Sequence, residues 1–144
     1  MIDSFVGKYR WLSNFHLSPI MFEGAEYPSV EHAYQAAKTT NPRLRLHFQE
    51  PIMKPAEARR AGQKLPMRTD WESVKIDVMF RCLKEKFKDP ELREKLIDTG
   101  DEELIEGNWW GDTFWGVCQG KGENHLGKLL MTIREEIKYE QRTT

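Results

Sequence analysis

Cysteine is scarce in this chain: Cys82 and Cys118 are the two among 144 residues. They lie far apart and without metal-ligand spacing, so the expectation is two reduced, buried thiols rather than a disulfide scaffold. His16, His32, His47 and His125 form no HxH or HxxxH group and no grouping with cysteine, so no metal is expected. Long apolar runs are missing as well. No stretch approaches the ~20 residues that cross a bilayer. The opening Met-Ile-Asp-Ser-Phe5 lacks the basic-then-apolar pattern of an export signal. No membrane partner is expected, and the cytoplasm is the expected location. Charge of one sign is absent too. The net charge is −1 and no Lys/Arg run exceeds two, so no field that gathers nucleic acid nonspecifically is evident.

What is present is a globular composition, 39% hydrophobic and 31% charged, at a length suited to one core. A single domain over residues 1–144 is expected, without repeats or a linker. Residues 5–15 read as a short strand and loop. Pro19 to Tyr27 reads as a hairpin turning at Glu23-Gly24. Ser29 is a natural N-cap for a helix running to about Thr39, ended by Asn41-Pro42, with a short helix from Arg43 to Gln49. Pro55 and Gly62 frame a helix over residues 56–61. Asp70 can cap the next, whose rows Val74, Val78, Cys82 and Met79, Leu83, Phe87 make a broad apolar stripe. Another helix starts at Asp89-Pro90, turns Leu92, Leu96 and Ile97 inward and stops at Gly100. Short strands are expected at residues 104–106 and 114–118. Asn124 caps a last helix bearing Leu126, Leu129, Leu130, Ile133 and Ile137, and the tail beyond Tyr139 is polar and expected to fray. Six helices with a few short strands make a compact, mainly helical α+β domain.

Three blocks carry polar residues where chemistry needs them. In Ser29-Val-Glu-His-Ala-Tyr-Gln-Ala-Ala-Lys38, about 100° per residue puts Glu31, Gln35 and Lys38 on one face with Tyr34 at its edge. The carboxylate and the amine stand roughly 10 Å apart along the axis, a span for two side chains reaching toward one small molecule. The alternative is structural: Val30, Ala33 and Ala37 face a core while Glu31 and Lys38 complement the helix dipole. The second block, Gly107-Asn-Trp-Trp-Gly-Asp-Thr-Phe-Trp-Gly116, holds three of the five tryptophans. Its rings suit stacking on a flat heterocycle as well as core packing, and Asp112 among them is a second carboxylate of interest. The third, Gly120-Lys-Gly-Glu-Asn124, leads into a helix start and reads either as a plain loop or as a phosphate cradle of backbone N–H groups.

Taken together, Trp11-Leu-Ser-Asn-Phe15, Tyr27-Pro-Ser-Val-Glu-His-Ala-Tyr-Gln-Ala-Ala-Lys38, Trp110-Gly-Asp-Thr-Phe-Trp-Gly-Val-Cys118 and Gly122-Glu-Asn-His-Leu-Gly-Lys-Leu-Leu-Met131 followed by Arg134 closely resemble the NADAR family and its YbiA-like N-glycosidase branch. Ala61-Gly62, Arg68-Thr-Asp-Trp71, Met79 and Lys86-Phe87 fit between them, so the resemblance covers nearly the whole chain. It implies hydrolysis of a C1′–N bond in a ribosylated heterocycle 5′-phosphate, such as the ribosylamino-pyrimidine and ribosylamino-uracil phosphates of early riboflavin synthesis. It implies no cofactor and fixes no oligomeric state. Another branch of the family removes ADP-ribose from guanine in nucleic acid, and a non-catalytic module binding ADP-ribose or NAD is a further alternative.

Breaking C1′–N builds positive charge on the sugar, which a nearby carboxylate stabilises. Glu31 is the first candidate and Asp112 the next. Lys38 is implied as catalytic by the resemblance, either as a simple cation or, deprotonated, as a nucleophile forming an imine at C1′. Trp71, Trp110 and Trp115 are candidates to wall in the base. Arg10, Asn14 and Asn124 are candidates for phosphate and ribose hydroxyls. Ser13, Phe15, His32, Tyr34, Gln35 and Gly116 complete the expected substrate-binding set.

Overall fold

The computed structural model describes residues 1–143. They form two compact units, one of residues 14–86 and one of residues 1–13 with 87–143.

The unit of residues 14–86 opens on an antiparallel hairpin, β1 (Ile20–Phe22) with β2 (Ala25–Tyr27), in which Ile20 pairs with Tyr27. Glu23 (φ 47°) and Gly24 (φ 85°) both turn left-handed, as a two-residue hairpin demands. The Glu23 carboxylate accepts from Arg45 at 2.7 Å and pairs with Arg81 at 3.5 Å, and both guanidinium groups lie over the Phe22 ring.

Ser29 caps α1 (Val30–Ala36): its hydroxyl accepts from the His32 N–H. This helix is shorter than the sequence suggests. Beyond Ala36 the chain tightens to i,i+3 bonds, Lys38 N–H to Gln35 O and Thr39 N–H to Ala36 O, so Lys38 sits in a closing turn rather than in the helix. Asn41-Pro42 does not end α1. It starts α2 (Pro42–His47), where the Asn41 side chain accepts from the N–H groups of Arg43 and Leu44. In α3 (Pro55–Gln63), Gly62 lies inside the helix instead of past its end. The cause is steric, since a Cβ there would overlap the Gln35 side chain. Helix α4 (Trp71–Lys86) buries Trp71, Val78, Met79, Cys82 and Leu83. The Asp70 carbonyl accepts its first backbone bonds, while the Asp70 carboxylate is taken by Arg68 at 2.6 and 3.0 Å. Helix α1 packs against α3 and α4 and is buried around its whole circumference, not on one face.

In the other unit the expected strand near residue 5 is a 3₁₀ helix (Gly7–Leu12). Helix α5 (Pro90–Asp98) is capped by Asp89 and buries Leu92 and Leu96. The strands fall slightly off the expected positions, with β3 (Gly107–Asn108) parallel to β4 (Val117–Cys118) and Leu104 bridged to Ile2. Helix α6 (His125–Thr143) buries Leu126, Leu130, Ile133 and Ile137, and it continues through the tail expected to fray. Cys118 is half-buried, not buried as expected; Cys82 is fully buried and its thiol is pushed up to about 12 by desolvation. Among the described residues no helix is long and apolar enough to cross a membrane.

Candidate functional site

Helix α1 brings most of the expected residues of its unit together. The Glu31 backbone N–H donates to Asn14 O at 3.2 Å, tying the helix start to the segment before the hairpin. The Glu31 carboxylate, 7% exposed, accepts from Gln35 Nε2 at 2.9 Å, one turn along. Gln35 is 4% exposed and is clamped against Gly62 of α3. A charged acceptor held by a neutral donor in a dry setting gains from the bond and resists reorientation. Two amide oxygens of this unit, Asn14 Oδ1 and Gln35 Oε1, are buried and have no hydrogen-bond partner among the described residues. Buried acceptors are normally satisfied, so Asn14 Oδ1 stands out, whereas Gln35 Oε1 is turned onto Gly62 of α3. Asn14 Nδ2 donates to the Met79 sulfur at 3.5 Å.

Lys38 follows. Its backbone is fixed by Arg68, whose N–H donates to Lys38 O at 2.7 Å while its guanidinium reaches Ala37 O at 3.5 Å. A cation closing the carbonyl end of α1 answers the helix dipole. The Lys38 ammonium lies 5.9 Å from the centre of the Tyr34 ring, and that ring stands 5.1 Å from Trp71. Burial lowers the Lys38 pKa below the ordinary lysine value. The Glu31 charge works against that shift, and the cations of Arg59 and Lys75 add to it. Glu31, Asn14, Tyr34, Gln35, Lys38 and Trp71 thus form one polar and aromatic cluster; Phe15, half-buried, belongs to the same unit.

His32 departs from expectation. It is 0% exposed, with Nδ1 at 2.7 Å from Ser29 Oγ and Nε2 at 2.7 Å from Met53 O. The bond to a carbonyl puts the proton on Nε2, so the Ser29 hydroxyl donates to Nδ1. Burial lowers the His32 pKa and keeps the ring neutral. Both nitrogens are spent inside the protein, and His32 anchors α1 rather than meeting substrate.

The tryptophan block lies in the other unit. Asp112 Oδ1 accepts from the N–H groups of Phe114 at 3.1 Å and Trp115 at 2.9 Å, an Asx turn that shapes the loop. Asn108 brackets it, accepting from Asp112 N–H at 3.0 Å and donating to Asp112 O at 2.9 Å. One Asp112 oxygen therefore has a structural task. Trp115 packs against Phe114 and His125; Trp109 and Trp110 project edge to face, 86% and 43% exposed. Gly116 is buried where a Cβ would strike Glu106. Arg10 is exposed on the 3₁₀ helix, and Ser13, half-buried, follows it.

Asn124 is not a free ligand group. Its Oδ1 accepts from Glu106 N–H and its Nδ2 donates to Leu104 O, both at 3.0 Å, so it staples the chain entering β3. Residues 120–124 read either as a plain loop or as a phosphate cradle, and several N–H groups at this helix start are used within the fold. The N–H groups of Glu123, Asn124, His125 and Leu126 donate to the carbonyls of Thr113, Gly116, Phe114 and Trp115. Within the stretch, the N–H groups of Lys121, Glu123 and Asn124 are thus taken by the fold.

Sequence reasoning missed Arg59, Gly62 and Lys75 as neighbours of the α1 cluster. Periodicity carried a signal for each: Arg59 is one turn before Gly62, and Lys75 one turn after Trp71.

A NADAR domain is matched over residues 4–138. N-glycosidase YbiA of Escherichia coli is 38% identical over 137 residues, covering 92% of this chain and 84% of that protein. The chloroplastic riboflavin biosynthesis protein PYRR of Zea mays is 42% identical over 143 residues, spanning 87% of this chain but 23% of that longer protein. The NMR structure of E. coli YbiA superposes with a TM-score of 0.86 at 35% identity, covering all of this chain and 90% of that one. The mainly helical α+β architecture is therefore that of the family. The chain belongs to the NADAR family, and it is an enzyme of the hydrolase class acting on N-glycosyl bonds.

Proposed function

We propose that this chain hydrolyses the C1′–N bond of a ribosylamino heterocycle 5′-phosphate, the class formed by early riboflavin-pathway pyrimidine and uracil intermediates. The observation that carries the reading is the Glu31 carboxylate, buried, oriented by Gln35 and within the electrostatic reach of Lys38. As the C1′–N bond breaks, positive charge develops on the ribose, and a desolvated, preoriented carboxylate stabilises it more than water does. The orphaned oxygen of Asn14 suits a hydroxyl donor of a ribose. Tyr34 and Trp71 offer aromatic surface. A relative named for riboflavin biosynthesis supports this substrate class over others.

Lys38 fits either of two routes. In direct hydrolysis its cation holds a sugar or phosphate oxygen while water attacks C1′. In the imine route the neutral amine adds to C1′ of the ring-opened sugar and the heterocyclic amine departs. Water then hydrolyses the Lys38 imine, releasing ribose 5-phosphate and restoring the amine. The lowered Lys38 pKa favours the second route. Incubation with ribosylaminouracil 5′-phosphate is the test. Release of free pyrimidine and ribose 5-phosphate is expected, with Lys38 trapped by borohydride during turnover. No release at high enzyme overturns the metabolite reading, and release of ADP-ribose from modified guanine instead redirects it. Turnover without a borohydride adduct leaves direct hydrolysis.

A further inference from the structure

Around α1 there is more positive charge than a single carboxylate and a single lysine account for. Arg59 lies one turn before Gly62 on α3, so both share a face, and that face is the one turned toward Gln35. Lys75 lies one turn after Trp71 on α4, and Trp71 meets Tyr34, the ring over which the Lys38 ammonium sits. Two separate packing contacts thus bring Arg59 and Lys75 to the side of α1 that carries Lys38. Their charges both act on Lys38.

Arg59 is half-buried, and among the described residues its guanidinium makes no ion pair or hydrogen bond. Lys75 meets the Glu72 carboxylate at 2.7 Å, and that carboxylate is 79% exposed. Gathering three cations around one buried carboxylate raises the energy of the empty arrangement, and a dianion relieves it. A guanidinium fork matches phosphate oxygens in pairs, and a lysine adds a point charge.

We propose that Arg59 and Lys75, beside Lys38, form the anion subsite that receives the 5′-phosphate of the ribosyl substrate. This rests on the N-ribosyl reading above and adds the residues that select a phosphorylated sugar. These residues take the place of the loop before α6 as the phosphate site, since the N–H groups of Lys121, Glu123 and Asn124 there are spent on backbone carbonyls.

The experiment compares kcat/KM for ribosylaminouracil 5′-phosphate with that for the dephosphorylated nucleoside, in wild type, Arg59→Ala, Arg59→Lys and Lys75→Ala. Circular dichroism confirms that each variant folds. Arg59→Ala is expected to shrink the preference for the phosphorylated substrate by about 10–100-fold, chiefly through KM, as loss of a charge-assisted contact does. Arg59→Lys should restore part of the preference, and Lys75→Ala should lower it in the same direction. Arg60→Ala, exposed and one residue on, should leave it unchanged. Equal losses on both substrates, or none, overturn the subsite. Should wild type turn over neither compound, the functional reading fails and calorimetry decides the subsite alone. Ribose 5-phosphate binding in preference to ribose, lost in Arg59→Ala, supports it; equal binding by wild type and variant refutes it.

Discussion

Glu31 illustrates how much a carboxylate's worth depends on where it is held. Exposed, it would complement a helix dipole by a few tenths of a kcal/mol up to about 1 kcal/mol. Buried and bonded to Gln35, it becomes a fixed charge in a poorly solvated place, the setting in which electrostatic stabilisation of a cationic transition state is strongest. Lys38 gives a pH prediction. Burial lowers its pKa, so its neutral form appears at lower pH than for an ordinary lysine. A route through the free amine predicts kcat rising with pH to an inflection below 10.5, the unshifted value. Lys38→Ala should lower kcat by at least about 100-fold and remove that limb. Lys86 predicts stability instead. Burial brings its pKa down to about 7 in the fold from 10.5 when free. Between those values the unfolded chain binds the extra proton, so stability should climb as pH rises through that window. Urea unfolding at several pH values checks this, and Lys86→Met should flatten the climb. Residue identity made Glu31, Gln35 and Lys38 legible in the sequence, since polar groups on a helix rich in alanine ask for a reason. The internal tasks of His32 and Asn124 were not legible. Their hydrogen bonds run to Met53 and Leu104, residues that no local pattern links to them.

At the scale of elements, Gly62 is the joint between α1 and α3. Its missing side chain makes room for the Gln35 amide, and that amide holds Glu31. Gly62→Ala should therefore cost about 1–3 kcal/mol of stability through overpacking, despite alanine's better helix propensity. It should also lower kcat, by displacing the donor from Glu31. Removing the Gln35 side chain as well should recover much of the stability but none of the activity. A double-mutant cycle in urea unfolding and in turnover measures both parts. Elements with a strong local signature were readable beforehand: the hairpin from its Glu23-Gly24 turn, α4 from its two apolar rows, α5 from Asp89-Pro90. Long-range packing decided the others. Helix α1 ends early because Arg68 closes its carbonyl end, and Gly62 reads as a stop signal although crowding, not chain termination, requires it. The loop at residues 120–124 reads as a plain loop or an anion cradle, and its Glu123 and Asn124 N–H groups hold the tryptophan loop.

For the molecule as a whole, motif order along the chain was more informative than any single spacing, because four separated blocks recurring in sequence are hard to arrive at by chance. It identified the family and the class of bond cleaved. Which side chains are spent inside the fold depended on burial and hydrogen bonding, properties that only the folded chain displays. The account then turns on one carboxylate. The most direct measurement is the turnover of ribosylaminouracil 5′-phosphate by wild type and by Glu31→Gln, a change that keeps size and removes charge, with folding verified by circular dichroism. A folded Glu31→Gln protein whose kcat falls by about 100-fold or more, with KM little changed, is the predicted result. A folded variant that releases ribose 5-phosphate at the wild-type rate would contradict the account.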